Sequence, residues 1–514
     1  MLPLEVNFPL FSAEQVKRLD AEAIRLGTPG FVLMKRAGQA LFDLACKQWP
    51  AHKQFVVLCG AGNNGGDGWL FAALAHVQGF QVQLYYLKPP EELTAEAKDA
   101  ADFALGKGVD AREFDSSLNL ENTKELVLVD ALLGIGINGL LSERYKSAIA
   151  WLNLCAISAN SAGDDVKVLS VDLPSGINAT TGECKELAVK ADLCLSFIGR
   201  KQGLYTADAP NYCTELHFEQ LGVADYVIEA ETQSQAQCHY LMNRVDAGAL
   251  KRAPVCHKGR FGHIAVVGGG SGMSGAALLA ADAALHAGSG LVSLYSQEET
   301  LQAARQRLPE CMSHIIDFEP DPKGEYFKRC NVLVVGPGLG QDEWARHAFK
   351  LALSASLPLL LDADALNLLA GAPVKLGRAG KSCVITPHPA EAARLLATTV
   401  QVIQADRFAA ARALVARYDA VVVLKGAGTL VACSDKIWLC PLVCPSLAIG
   451  GAGDVLSGVI AALLAQGLEA EEAARLGVWL HASAAKYFEG QVGVIGLKAG
   501  ELPGIIRKMV NELL

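Results

Sequence analysis

Two α/β domains, each a mostly parallel sheet between layers of helix, are predicted by three features of this 514-residue sequence. The length exceeds what one hydrophobic core supports, since cores stop growing at about 250 to 300 residues. Runs that are apolar at every position recur in two separate series, as strands buried on both faces of a parallel sheet require. The composition, 51% hydrophobic and 19% charged with 50 glycines, is that of a packed α/β protein and not of a disordered or fibrous one.

Taken in order, the elements begin with a helix over 12–26. Ser12 and Gln15 form a capping-box pair, Val16, Leu19, Ala23 and Leu26 keep helical spacing, and Gly27 supplies the stop. The first series of strands covers 55–59, 82–86, 126–129, 168–171 and 193–197. The rhythm fades after His217, and a stretch rich in Glu and Gln, without sustained apolar period, places a linker at 225–240 between domains 1–224 and 241–514. A second series follows at 263–267, 332–335, 359–361, 384–385 and 421–424, and closes in two apolar helices over 454–464 and 470–487.

Charge and cysteine usage exclude several classes. A formal net charge of -9 without a Lys/Arg cluster argues against nucleic acid as a partner. Fourteen cysteines with no CxxC pair and no zinc spacing read as reduced thiols of a cytoplasmic protein. The N-terminus lacks a basic segment ahead of an apolar one, and the apolar run at 351–361 is short and broken, so neither a secretory signal nor a membrane span is expected.

In the first half, Gly60-Ala61-Gly62-Asn63-Asn64-Gly65-Gly66-Asp67-Gly68 follows a strand and opens a helix, where glycines permit a sharp turn and free N–H groups favour an anion such as pyrophosphate. Packing alone would explain the glycines, but two Asn and an Asp in one turn add polar groups that packing does not require. Asp130 ends the strand before Gly134-Ile135-Gly136-Ile137-Asn138-Gly139, and Asp172 ends the next, before Leu173-Pro174-Ser175-Gly176. Either Asp taken alone reads equally well as a helix cap.

Together these motifs, with Asn178, Thr181-Gly182, Phe197, Lys201 and Gly203, resemble the NAD(P)H-hydrate epimerase family over residues 12–217. The resemblance implies a Rossmann-like three-layer sandwich in which Asn64, Asp130 and Ser175 hold a potassium ion. It implies further that Asn63, Asn64, Gly65, Gly66, Asp67, Gly134, Ile135, Gly136, Ile137, Asn138, Gly139, Leu140 and Asp172 contact the hydrated nucleotide; Ile135 stands where the family is expected to carry Thr. Epimerising a hydroxyl-bearing carbon needs a positioned acid/base, for which Asp172 is the candidate and Lys201 its assistant. An ordinary solvated lysine is the competing account of Lys201.

In the second half, Ile449-Gly450-Gly451-Ala452-Gly453-Asp454 opens an apolar helix and sets Asp454 in its first turn. Backbone N–H groups there stabilise charge on a transferring phosphoryl group while the carboxylate takes a hydroxyl proton, the anion hole and base of ribokinase-like enzymes. Lys425-Gly426-Ala427-Gly428-Thr429 lies between two strands and reads as a phosphate grip or a plain hairpin turn. Residues 336–340 and 362–367 follow further strands, and four such turns at successive strand ends point to one pocket.

His388 in Thr386-Pro387-His388-Pro389-Ala390-Glu391 separates close relatives, because ribokinase-like vitamin kinases tend to carry Asn there, ahead of a matching Glu. With residues 425–429 and Gly259-Arg260-Phe261-Gly262, the pattern resembles the ADP- or ATP-dependent NAD(P)H-hydrate dehydratase family from His257 onward. The resemblance implies a ribokinase-like α/β domain in which Ala276 or Ala277, Gly338, His388 and Asp454 contact the hydrate. Lys425, Gly426, Ala427, Gly428, Thr429 and Gly453 would bind the adenine nucleotide. His263, His286 and His481 have no motif around them and read as structural.

Phosphate leaves more readily than hydroxide, so a kinase fold can remove water by phosphorylating the ring hydroxyl and eliminating phosphate. The fusion resembles bifunctional bacterial enzymes and implies NADH hydrate, NADPH hydrate and ADP as small-molecule partners, magnesium with the nucleotide, and a homo-oligomer, which the amphipathic helix at 12–26 also favours. Two rivals stay open at this point: a ribokinase-like vitamin or small-molecule kinase, and a non-catalytic nucleotide-binding or interaction module as the first domain.

Overall fold

A computed structural model describes residues 8–514 except 121–123, 137–138, 244, 246, 319–324, 372–375 and 377–381. Its contacts divide the chain into two compact units, Pro9–Cys238 and His239–Leu514.

The first unit carries β1 (Phe8–Phe11), β2 (Gln54–Cys59), β3 (Gln81–Tyr86), β4 (Ala111–Glu113), β5 (Glu125–Ala131), β6 (Asp165–Val171), β7 (Ala191–Phe197), β8 (Arg200–Lys201) and β9 (Cys213–Glu219). Seven of these form one parallel sheet in the order β4-β3-β2-β5-β6-β7-β9, and β1 pairs in parallel with β8. The helices are α1 (Ala13–Arg25), α2 (Gly30–Gln48), α3 (Asn63–Val77), α4 (Ala95–Gly106), α5 (Glu143–Ser161) and α6 (Asp225–Gln233). Alternate residues of β2 feed two separate cores. Phe55, Val57 and Cys59 pack with α1 to α4, whereas Val56 and Leu58 pack with Trp151 and Leu152 of α5, giving three layers.

The capping box of α1 forms as the sequence specifies: Ser12 accepts from the Gln15 N–H and Gln15 returns the bond to the Ser12 N–H. The apolar face of α1, which the sequence also offers to a second copy, is consumed internally, with Val16, Leu19 and Ala23 buried in the unit's own core. Within the stretch read as a linker, Asp225–Gln233 is helical because Val227 and Ile228 join that same core and Glu231 receives Arg18 of α1 at 2.7 Å.

The second unit carries β10 (Cys238–Leu241), β11 (His263–Val267), β12 (Leu291–Ser296), β13 (Met312–Ile315), β14 (Val332–Val335), β15 (Leu359–Leu361), β16 (Cys383–Ile385), β17 (Val421–Leu424), β18 (Leu430–Ala432) and β19 (Lys436–Leu439). They run β13-β12-β11-β14-β15-β16-β17-β18-β19-β10, parallel from β13 to β17 and antiparallel through β18 and β19. The helices are α7 (Ser274–His286), α8 (Glu298–Arg307), α9 (Glu343–Ser354), α10 (Asp364–Gly371), α11 (Pro389–Leu396), α12 (Val400–Ala405), α13 (Arg407–Tyr418), α14 (Ala452–Ala465), α15 (Ala470–Gln491) and α16 (Leu502–Leu513). Three helices therefore close the chain, not the two expected; α16 buries Leu502, Ile506 and Val510. α14 crosses α7 at close range through Gly458, where a Cβ would lie 2.1 Å from the Ala280 carbonyl oxygen.

In each sheet one strand has its successors on both sides: β2 between β3 and β5, β11 between β12 and β14. Such a reversal opens a crevice at the carboxyl ends of the strands, and both candidate sites lie there.

Candidate functional site

In the first unit, a cavity of about 430 Å³ opens beyond β2, β5 and β6. Gly60 lets β2 come close to β5, since a Cβ there would sit 1.8 Å from the Leu132 carbonyl oxygen. The chain then enters α3 at Gly62, so Asn63, Asn64 and Asp67 line the cavity. Gly65 and Gly66 do not: they are buried against the Gly60 carbonyl and the Met34 sulfur, the packing role that had competed with ligand contact.

Gly134, Ile135 and Gly136 form a wall of it next to Asn64. Ile137 and Asn138 lie outside the described residues. Gly139 faces a separate, smaller cavity with Asn178 and Glu186, and Leu140 is 76% exposed, so neither lines the main one.

Asp172 and Ile198 both take left-handed backbone conformations, with φ of 67° and 64°, and both border the cavity. A β-branched residue at such a φ is strained, by about 1–3 kcal/mol, and strain of this kind clusters where a site is held open for ligand. The Asp172 carboxylate accepts from the Phe197 N–H at 3.0 Å and from the Lys201 ammonium, which also donates to the Phe197 carbonyl at 2.7 Å. Lys201 is 1% exposed, so it is no solvated surface lysine but the buried partner of Asp172.

Asp130 sits behind the wall with no exposed surface. Its oxygens accept from Ser170 Oγ at 2.8 Å, Ser175 N at 2.9 Å, Ser175 Oγ at 2.6 Å and Leu132 N at 3.3 Å. Burial raises its pKa against those four donors. No Lys, Arg or His among the described residues pairs with it. Asn64, whose side chain touches Gly134, leaves its buried amide nitrogen without a partner.

Sequence reasoning missed the contribution of α1 and α2. Lys17, Asp20, Leu33 and Met34 complete the cavity, with Tyr145 from α5. A signal existed for Asp20: it follows Val16 by one turn and so stands on the helix face that Val16, Leu19 and Ala23 bury. Burial, then Glu96, raises the Asp20 pKa, while burial, then Asp172 and Asp20, pushes Asp67 well above the usual carboxylate range. Lys201 works against both shifts.

In the second unit, five consecutive sheet positions deliver loops to one end: residues 268–270 after β11, 336–340 after β14, Asp362 after β15, Thr386-Pro387-His388 after β16, and Lys425 after β17. The turn from Lys425 to Thr429 is a β17–β18 hairpin and also aims its lysine into the cluster, so the two readings of it coincide. Gly426 and Gly428 hold φ of 132° and 65°, and Thr429 Oγ1 closes the turn on the Gly426 carbonyl at 3.0 Å. Beneath it, buried Arg407 donates to the carbonyls of Leu424, Lys425 and Gly428 at 3.2, 3.2 and 3.5 Å.

Lys425 Nζ lies 2.8 Å from Asp362 Oδ1 and 3.8 Å from Glu391 Oε2. Burial pulls its pKa down, but Asp362 and Glu391 outweigh that and leave it raised. His388 caps α11, its Nδ1 accepting from the Ala390 N–H at 3.1 Å while Nε2 faces Glu391 Oε1 at 3.3 Å. Burial and then Lys425 lower its pKa, so near neutrality it is an uncharged donor at Nε2.

Asp454 occupies the first turn of α14 behind Gly451, whose φ is 90°. Gly453 beside it could not carry a side chain freely, since a Cβ would stand 3.2 Å from Lys425 Nζ. Burial, then Asp362, raises the Asp454 carboxyl to about 7, and burial likewise brings Glu391 to about 7. A carboxyl in that range is matched to proton transfer at neutral pH. Of the two alanines proposed as hydrate contacts, Ala276 packs toward Gly338 and keeps exposed surface. Ala277 has none and serves the core beneath Gly269.

Comparison with known proteins covers both units. The family described as YjeF-related protein N-terminus matches residues 30–203, and the family described as NAD(P)H-hydrate dehydratase matches 264–508. A bifunctional NAD(P)H-hydrate repair enzyme from Coxiella burnetii is 38% identical over 98% of this chain and 99% of its own length. Its counterpart in Escherichia coli is 36% identical over 99% of this chain and 95% of its own. Among solved structures, an ADP/ATP-dependent NAD(P)H-hydrate dehydratase from Bacillus subtilis is 29% identical, covering 51% of this chain and 94% of its own, with a TM-score of 0.47. Matched over both units and nearly end to end, the chain belongs to the family of bifunctional NAD(P)H-hydrate repair enzymes, which join an epimerase to a dehydratase.

Proposed function

We propose that the two sites divide the repair between them, the cavity of the first unit interchanging the S and R hydrates of NADH and NADPH and the cluster of the second dehydrating the S form. The observation that carries this reading is Asp454, a carboxyl poised near 7 in the first turn of a helix, facing a lysine ammonium. When ionised, Asp454 takes the proton of the ring hydroxyl, whose oxygen attacks the terminal phosphorus of ADP as the bond from that phosphorus to the bridging oxygen breaks and AMP leaves. Lys425 and the N–H groups at the start of α14 bear the charge that builds on the transferring group. Phosphate then departs with the C–O electron pair as the ring nitrogen lends its lone pair, and loss of a proton from the adjacent ring carbon restores the dihydropyridine. The nucleotide, with residues 425–429 and Gly453 around it, arrives as its magnesium complex. Gly338, Ala276 and the Nε2–H of His388 would contact the hydrate.

In the first unit, Asp172 exchanges the proton that inversion of the hydroxyl carbon requires, with Lys201 holding its carboxylate in place. Asn64, Asp130 and Ser175 would hold a potassium ion: a buried carboxylate with no cationic side chain beside it among the described residues is offset by a cation, and hydroxyl, amide and carboxylate oxygens suit a hard one. The ion would supply charge compensation only. All fourteen cysteines are free thiols, which fits a reducing compartment such as the cytoplasm. Among the described residues no helix is long and apolar enough to cross a membrane.

Asp454→Asn tests the central claim. ADP-dependent return of the NADH absorbance band from the S hydrate is expected to vanish while interconversion of the two hydrates persists. Retained dehydration, or equal loss of both activities, contradicts it.

A further inference from the structure

Asp362 follows β15 with 1% of its surface exposed and commits both carboxylate oxygens to groups from other parts of the site. Oδ1 accepts from Lys425 Nζ at 2.8 Å, at the end of β17. Oδ2 accepts from Ser457 Oγ at 2.8 Å, one turn along α14 from Asp454. The backbone beneath is fixed as well, since the Asp362 N–H donates to the Val335 carbonyl at 3.0 Å and the Ala365 N–H returns to the Asp362 carbonyl at 3.1 Å. One immobile carboxylate thus joins the strand that carries the ammonium to the helix that carries the proposed base.

Phosphoryl transfer is mostly positioning, so the separation between a phosphate-binding cation and the base is a catalytic variable. A lysine side chain does not fix that separation unaided, because its four-carbon stem is flexible. Glu391, at 3.8 Å, offers Lys425 an alternative partner. We propose that Asp362 is a positioning residue for dehydration, holding Lys425 and Ser457 at once and so setting the distance from the ammonium to Asp454 across the transferring phosphoryl group. The proposal rests on the reading of Asp454 as the base.

The same placement has an electrostatic consequence. The charged groups around Asp454 are Asp362 from β15, Asp364 from α10, Glu391 from α11 and Lys425 from β17. After burial, Asp362 contributes most to raising the Asp454 carboxyl, and Lys425 opposes it. Neutralising Asp362 removes the repulsion and frees the ammonium, and both changes favour the ionised base. A residue that merely fills space would leave the Asp454 titration where it is.

Full-length Asp362→Asn and Ser457→Ala, assayed with the S hydrate and magnesium ADP, test this. Asp362→Asn is expected to lower kcat roughly 10- to 100-fold, more than it alters KM for ADP, and to move the acid limb of the kcat/KM profile to lower pH. Ser457→Ala keeps the charge, so it lowers kcat less and leaves the limb in place. Unchanged kcat in Asp362→Asn, or a lower kcat with an unmoved limb, overturns the proposal. Should Asp362→Asn fail to fold, as judged by loss of the thermal unfolding transition of the second unit, Ser457→Ala decides: a loss confined to KM, or no loss, overturns it. Failure of the underlying reading shows separately, as dehydration that survives in Asp454→Asn.

Discussion

Replacing Asp130 with Ala removes the acceptor of four hydrogen bonds at a fully buried position. The two hydroxyls can turn elsewhere, Ser175 Oγ already lying 3.3 Å from the Leu133 carbonyl, but the Ser175 and Leu132 N–H groups cannot. At about 1–3 kcal/mol for each stranded donor, the loss is about 2–6 kcal/mol. Removing an uncompensated buried carboxylate returns part of that, so a net destabilisation of about 1–4 kcal/mol is expected. Native-state hydrogen exchange at the β5 amides of Val127 and Val129 reads this free energy directly. Potassium at a hundredfold excess over its Kd should stabilise the parent by about 2.7 kcal/mol and the Asp130→Ala protein hardly at all. A loss below about 1 kcal/mol, or the same potassium response in both proteins, refutes the reasoning.

Two further predictions concern the second unit. Dehydratase kcat/KM should rise roughly tenfold from about pH 6 to 8, because the base works only when ionised and the Asp454 carboxyl titrates at about 7; a flat or falling profile at saturating ADP would exclude Asp454 as the base. Gly453→Ala puts a methyl group 3.2 Å from Lys425 Nζ and should raise KM for ADP about tenfold with epimerisation untouched, and an unaltered KM would separate Lys425 from the nucleotide.

The parallel strands that are apolar on both faces were legible, and β11, β14, β15 and β17 fall where the sequence places them. β12 escaped because Ser293 and Ser296 interrupt its apolar run; both are buried, paired with His263 and with the Gly268 and Gly269 carbonyls, partners that local sequence does not reveal. The edge strands β4 and β13 are short and largely exposed, so they carry little pattern. α6 depends on contacts with α1 across the unit, which no window of sequence shows. The same limit governs the sites. Glycine loops and strand-end aspartates announced themselves, but the tie from Asp362 to Ser457 spans 95 residues, and Asp20 reaches its cavity only once α1 folds over it.

Asp20, Asp67 and Asp172 share the first cavity with the buried ammonium of Lys201 and that of Lys17 at its rim. With Asp20 and Asp67 already holding protons more tightly than free carboxyls do, an incoming pyrophosphate strengthens that hold. Ligand binding and proton uptake are then one thermodynamic event, so affinity for the hydrated nucleotide falls as pH rises. The calorimetric heat of binding acquires a slope against the ionisation enthalpy of the buffer, and that slope counts the protons captured.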